Sequence, residues 1–352
     1  MPSVASREGS AVDWVESLSP WPEKFGLDTM RALLAELGEP QRAYPAIHVV
    51  GTKGKSTATR TIAAYLEREG LRTGAYTSPH VSGWAERIQV GGLDADFERA
   101  AGRVRPAAEA LGATQFEALT AAALLEFAES GVDVAAVEAG LGGRLDATNV
   151  IDARIVLLTN VDLEHTEVLG ETREAIAKEK LAVAHAARVV VMSGNTYIGL
   201  APRHAEIVIG GAREVAEAFL GRPVEMEVEI ALPGRFELRG EEVWDGAHTP
   251  AAIDRLLELL PARDYVLCVS LLADKDADGI LERLARAGEN LIATESSKER
   301  VLPAEELGRR AEPYFARVEV VPDPAAAVVR ARELGPRVLV TGSLYLLADL
   351  YR

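Results

Sequence analysis

The stretch Ile47 to Thr57, IHVVGTKGKST, constrains this chain more than any other. Ile47-His48-Val49-Val50 is a β-branched-rich run with strand character. Gly51-Thr52-Lys53-Gly54-Lys55-Ser56-Thr57 places two glycines in a turn, and Ala58 to Glu69 has helical spacing. A strand, a glycine turn and a helix start therefore follow one another. The free backbone N–H groups of such a turn, with the positive end of the helix dipole, make an anion site. Lys55 adds a point charge for terminal phosphates, and a hydroxyl at Ser56 or Thr57 can hold Mg²⁺. The spacing departs from GxxxxGK[ST], because only Gly51 and Gly54 precede the lysine. The competing reading is a strand-to-helix turn that needs its glycines for backbone reasons alone.

Composition sets the frame for that loop. The chain has 352 residues, enough for two domains that each bury a core. Apolar residues make up 48% and charged residues 26%, the balance of a globular protein. A formal net charge of -16 argues against coating nucleic acid or an anionic membrane. It leaves ATP binding open, since a local nest of N–H groups and a lysine outweighs a distant field screened over ~10 Å. The single cysteine, Cys268, rules out an internal disulfide and a Cys₄ zinc site, and its apolar setting YVLCVS reads as core. No window of ~18 consecutive apolar residues is present to span a membrane. Residues Met1 to Ser10 lack the basic and apolar regions of a secretory signal. A cytoplasmic monomer without nucleic-acid or membrane partners is expected.

Along the chain, Val12 to Leu18 and Leu27 to Leu37 read as short helices, and Arg72 to Tyr76 as a second strand. Thr77-Ser78-Pro79-His80 follows it as a loop, then Glu86-Arg87-Ile88. In open α/β sheets, the carboxyl ends of the strands carry the ligand crevice. Ser78 is thus placed to ligate a metal, and His80 or Arg87 to touch substrate; a plain loop histidine is the alternative for His80. Phe116 to Ser130 reads as a core helix. Val132 to Val137 reads as a buried parallel strand that ends at Glu138, ahead of the glycine-rich Gly140 to Asp146. A carboxylate there, beside a phosphate loop, suits Mg²⁺, although a helix-cap acid is the other reading. Ile155 to Thr159 leads in the same way to Glu164 and His165. Three strand ends then bring a hydroxyl, a carboxylate and an imidazole to one edge.

Thr172 to Ala187 reads as a helix whose Lys178, Glu179 and Lys180 form a solvated face. Arg188 to Met192 and Ile207 to Gly210 read as strands that close a first domain over residues 1–231. Leu232-Pro233-Gly234-Arg235 marks the hinge. Residues 232–352 alternate strand and helix as a smaller parallel α/β unit, from Val243–Asp245 to Val338–Thr341. Asp245 and His248 sit at a strand-to-helix turn within it.

The motifs HVVGTKGKST, YTSPH with ERI, VEAGLGGRLDATN, DLEHTEVLG with IAKEK, LPGR, WDGAHTP, LADKD and VTGSLYL stand in one order along nearly the whole chain. In that order they resemble the folylpolyglutamate synthase and dihydrofolate synthase family of the Mur ligase superfamily. The resemblance implies a P-loop ATPase domain followed by a smaller Rossmann-like domain, with the active site between them. It implies ATP and Mg²⁺, and a ligase that joins L-glutamate to the carboxylate of a folate or dihydropteroate substrate through an acyl phosphate. By the same resemblance Gly51 to Thr57 hold ATP, with Lys55 on the γ-phosphate. Thr57, or adjacent Ser56, ligates metal with Glu138, Ser78 and His165. Lys180 matches a lysine that is often carbamylated, which overturns the solvated-face reading. Arg235, Asp245 and His248 meet the nucleotide; His80, Arg87 and Phe116 are substrate candidates. Ser56 stands where relatives carry glycine, Glu164 precedes His165 where they carry aspartate, Thr249 breaks an HNP, and no GxHQxxN segment precedes LPGR. These departures leave room for a different carboxylate substrate or an idle nucleotide-binding paralogue.

Overall fold

A computed structural model describes residues 10–23 and 25–351, so the first part of the Met1 to Ser10 segment lies outside the described residues. Two compact units emerge from the contacts. One spans the described residues to Pro79 and then Trp84–Ile230; the other takes His80–Gly83 and the described residues from Ala231 onward.

The first unit is built on an eight-stranded sheet. Its strands are β1 (Ala46–Val50), β2 (Thr73–Tyr76), β3 (Ile88–Val90), β4 (Leu93–Asp94), β5 (Val134–Glu138), β6 (Ile155–Leu158), β7 (Val189–Met192) and β8 (Glu206–Ile209). Their order is β4-β3-β2-β5-β1-β6-β7-β8. β2, β5, β1, β6, β7 and β8 are parallel, while β3 and β4 add an antiparallel edge. β1 is central because AIHVV is buried along its whole length and has apolar neighbours on both faces. Ala46 and Val50 face one core layer, and Ile47 and Val49 face the other. The chain leaves β1, passes to β2, returns to β5 and only then crosses to β6, so the strand order reverses around β1. A crevice opens at the carboxyl ends of the strands at such a point.

The helix after the glycine turn starts at Lys55, not at Ala58, and runs to Arg68. Gly54 supplies the turn, with φ 77°. The long core helix, Gln115–Glu129, opens on a capping box in which Thr114 and Glu117 satisfy each other's backbone N–H groups. The expected helix over Thr172 to Ala187 is shorter. It is α-helical over Arg173–Leu181, and Ala182–Ala186 continues as a 3₁₀ segment that departs from helical geometry at Ala184. Pattern reading also passed over the helices Phe97–Leu111, Ala212–Leu220 and Leu344–Tyr351, and the β3–β4 edge.

The second unit holds β9 (Glu237–Arg239), β10 (Glu242–Asp245), β11 (Val266–Val269), β12 (Asn290–Ala293), β13 (Arg317–Val320) and β14 (Val338–Thr341), in the order β13-β12-β11-β14-β10-β9. All pairs are parallel except β9 with β10, so this unit is α/β as expected, with one antiparallel edge strand. Cys268 is fully buried at its centre, as its apolar context implied. No helix among the described residues is long and apolar enough to cross a membrane.

Candidate nucleotide and metal site

The site in the first unit grows from three adjacent strand ends. β1 runs straight into Gly51, whose φ is 148°. A Cβ there would sit 1.9 Å from Thr159 Oγ1, so glycine is required both by conformation and by space. The turn is stitched to the segment after β6. Thr52 N–H donates to Asn160 O at 3.0 Å, and Lys53 N–H donates to Asn160 Oδ1 at 2.9 Å. Asn160 Nδ2 donates to Lys53 O at 2.9 Å, and Asp162 N–H donates to Thr52 Oγ1 at 3.0 Å. Lys53 therefore points its ammonium at Asp162, 3.8 Å away, and Asp162 is also held by Arg173 at 2.8 Å. The Asp162 carboxyl is held below its ordinary range by the Leu163 backbone N–H and by Arg173. Asn160 and Arg173 thus fix the loop, a role that pattern reading did not assign them. The visible signal was Asn160 itself, a polar residue directly after a buried strand.

Glu138 closes β5, in register with Val49 of β1, two residues before Gly51. It is buried, at 2% exposure. Ser56 Oγ donates to Glu138 Oε1 at 3.1 Å, and Ser78 N–H donates to Oε2 at 3.0 Å. The hydroxyl that meets the carboxylate is therefore that of Ser56. Thr57, expected as the ligand beside Glu138, is exposed on the next helical position, and its carbonyl accepts from Thr61 Oγ1 at 2.8 Å. The reason is helical rotation: one residue turns a side chain by ~100°. Ser78 reaches Glu138 through its backbone. Arg60, inside the helix Lys55–Arg68, is buried and donates to Thr77 Oγ1 at 3.3 Å and to Glu86 O, bracing the Ser78 loop against the phosphate-loop helix. A charge on a buried helical face gave no signal in the pattern.

Lys180 corrects the solvated-face reading of its helix. It is 2% exposed, whereas Lys178 is exposed. Its Nζ donates to Gly51 O at 3.0 Å and to Glu164 Oε1 at 2.6 Å. Burial pushes its pKa down, opposed by Glu164. Lys180 lies four residues after Ile176 and next to Leu181, on the stripe that faces the core. Gly143 makes this possible, since a Cβ there would meet the Glu179 and Lys180 carbonyls at 2.7 Å. Gly140 likewise clears the Phe116 ring, which a Cβ at that position would approach to 2.6 Å. Asp146 ties this glycine loop together, accepting from Leu141 N–H at 2.7 Å and from Thr148 N–H at 3.0 Å.

The remaining candidates fall as follows. Lys55 Nζ lies 3.5 Å from Thr52 O and is half-buried over the turn. His165 follows β6 on the same sheet edge, in the left-handed region with φ 44°. Its side chain is 54% exposed and faces Glu167 at 3.9 Å. Arg87 is buried, with its guanidinium 5.0 Å over Trp84, and Phe116 packs against Tyr76 at 6.1 Å. His80 belongs to the second unit and is not grouped with those two. In the second unit, Asp245 accepts from Phe236 N–H at 2.7 Å and from Ala247 N–H at 2.8 Å. Burial raises its pKa against those two bonds, with Arg235 and His248 opposing. His248 Nδ1 contacts Gly246 O at 2.8 Å.

The donor set fits a hard cation. Glu138 and the Ser56 hydroxyl offer oxygen only, as Mg²⁺ prefers, and no cluster of three His, Cys, Asp or Glu side chains occurs among the described residues. Such a site takes its other ligands from phosphate and water rather than from a protein cage.

Comparison with known proteins places the chain in a family. Residues 49–195 match the Mur ligase middle domain, and residues 234–344 match the Mur ligase glutamate ligase domain. The dihydrofolate synthase/folylpolyglutamate synthase of Mycobacterium tuberculosis is 28% identical over 84% of this chain and 80% of its own length. A probable bifunctional folylpolyglutamate synthase/dihydropteroate synthase of Haloferax volcanii is 31% identical over 96% of this chain, which spans only 49% of that relative. The structure of E. coli FolC in complex with DHPP and ADP superposes with a TM-score of 0.85 at 27% identity, covering 99% of this chain and 98% of that one. Glycine turn, strand-end glutamate, buried helical lysine and two matched domains lead to one assignment: the chain belongs to the folylpolyglutamate synthase and dihydrofolate synthase family of the Mur ligase superfamily.

Proposed function

We propose that this chain is an ATP-dependent, ADP-forming ligase that joins L-glutamate to the carboxylate of a folate-type or dihydropteroate acid. The observation that carries the reading is the Ser56–Glu138 contact, which sets a hydroxyl and a buried carboxylate beside the lysine-bearing anion turn. A carboxylate is a poor electrophile, and transfer of the γ-phosphoryl group gives it a leaving group. The turn's N–H groups and Lys55 orient the triphosphate and offset the charge that builds on the transferring group. Glu138 and Ser56 would hold Mg²⁺, which would supply Lewis-acid neutralisation of the phosphates. The amine of L-glutamate then attacks the acyl phosphate, and phosphate leaves from a tetrahedral intermediate.

In this proposal Ser78 and His165 complete the metal surroundings, and Arg235, Asp245 and His248 serve the nucleotide. Arg87, Phe116 and His80 remain the substrate candidates. Lys180 is the carbamylation candidate. Burial favours a neutral, reactive amine, but its bonds to Gly51 and Glu164 must yield before a carbamate forms. Intact-mass measurement with and without bicarbonate tests this, and an unchanged mass rejects it.

A second reading, a ligase for another carboxylate, draws on the altered middle of the chain, where no GxHQxxN segment precedes LPGR. Release of ADP with L-glutamate and a panel of acids separates the readings. Release with dihydropteroate or reduced folates supports the first. Release with a different acid alone supports the second, and silence with every acid points to an idle paralogue. Lys55→Ala is expected to abolish turnover while the circular dichroism spectrum is retained, since Lys55 lies in a ligand loop.

A further inference from the structure

Four cationic side chains gather where β1 and β6 end, and they are not equally free. Lys53 and Lys55 come from the turn and the first residue of its helix, and Arg173 and Lys180 come from the helix Arg173–Leu181. Lys180 is spent on Glu164, at 2.6 Å. Lys53 and Arg173 converge on one carboxylate, Asp162, at 3.8 Å and 2.8 Å. Lys55 meets the Thr52 carbonyl at 3.5 Å and forms no ion pair among the described residues.

Asp162 is seated by the backbone before it meets either cation. Its N–H donates to Thr52 Oγ1 at 3.0 Å, and its Oδ1 accepts from the Leu163 N–H at 2.9 Å. The carboxylate is thus fixed on the flank of the anion turn. Stability gives little reason for it to be there. The three side chains are 42% to 58% exposed, and ion pairs so open to water contribute little to a fold. The turn is already stitched to the segment after β6 by Asn160 and by the Thr52 hydroxyl, neither of which needs this carboxylate. Its electrostatic effect on an anion is larger. A phosphate in the turn meets one negative charge nearby and is denied two positive ones. Extra cations there would hold ATP and ADP alike, which slows release of product without aiding the chemical step.

We propose that Asp162 is a positioning residue that holds Lys53 and Arg173 off the phosphate site, leaving Lys55 as the turn's ammonium for phosphate and keeping ADP releasable. The proposal rests on the ligase reading above, in which the turn holds ATP. The test is titration calorimetry of the full chain with ADP and Mg²⁺, at low and at high ionic strength. Asp162→Asn keeps the size of the side chain and an acceptor for Leu163. It is expected to bind ADP about fivefold more tightly at low salt, with the gain shrinking at high salt. Adding Lys53→Ala and Arg173→Ala is expected to remove the gain. In turnover, kcat and the KM for ATP should fall together. A merely structural role gives the opposite, a loosened turn with weaker ADP and a raised KM. Equal or weaker ADP binding in a folded Asp162→Asn variant, checked by circular dichroism, overturns the proposal. A gain that survives loss of both cations also overturns it. A parent protein that binds no ADP overturns the nucleotide reading itself, and a parent that binds ADP but releases none with any acid overturns only the ligase reading.

Discussion

At the scale of single residues, the arrangement turns on which of two neighbouring hydroxyls faces Glu138. Helix geometry gives that position to Ser56, with its Oγ 3.1 Å from the carboxylate, and sends Thr57 outward. Ser56→Ala is expected to raise the Mg²⁺ concentration for half-maximal turnover by about tenfold, within the range for disturbed metal surroundings. Thr57→Ala is expected to change it much less. A Mg²⁺ titration of both variants decides, and a larger effect at Thr57 would reverse the assignment. The motif was legible as letters, but the choice between adjacent hydroxyls was not, because a rotation of ~100° is invisible in a list of residues. Lys180 gives the same lesson from the other side. Its flanking charges suggested water, yet the side chain ends on a backbone carbonyl and a glutamate inside the fold.

At the scale of elements, β1 joins the anion turn to the core and carries a buried histidine. Thr148 gives its only hydroxyl proton to Asp146, so His48 Nε2 must donate to Thr148 Oγ1, 2.8 Å away. His48 is thereby a neutral Nε2–H imidazole, and burial pushes its pKa down to about 3. The folded pKa lies below the ordinary value of 6.5, so the unfolded chain binds the proton first. This contribution is fully present above pH 6.5 and is lost as pH falls toward 3. A slope of about 1.4 kcal/mol per pH unit follows for one such group. Denaturant unfolding between pH 6.5 and 5 should show it in the parent and lose it in His48→Gln. Equal slopes would mean that His48 is not buried neutral. The strand itself was readable from its β-branched run. The polar chain from Asp146 to His48 was not, because its members lie about a hundred residues apart.

At the scale of the whole molecule, two parallel-rich sheets with separate cores account for the chain, and a short stretch from the first half, His80–Gly83, groups with the second unit. Cys268 lies fully buried in β11, with its pKa raised to about 12 by burial. As the only thiol, it reports the opening of the second unit's core. A thiol reagent is expected to leave it unmodified in the native protein and to titrate one group in denaturant. Stoichiometric labelling without denaturant would show that this core is open. By itself the sequence determined the α/β class, most of the succession of strands and helices, and the glycine turn between β1 and its helix, because hydrophobic period and glycine placement are local properties. Only the tertiary structure decided that Lys180 is buried, that Ser56 meets Glu138, and that Lys53 and Arg173 share Asp162. Those facts depend on strand order and helix rotation, which bring together residues that are distant along the chain.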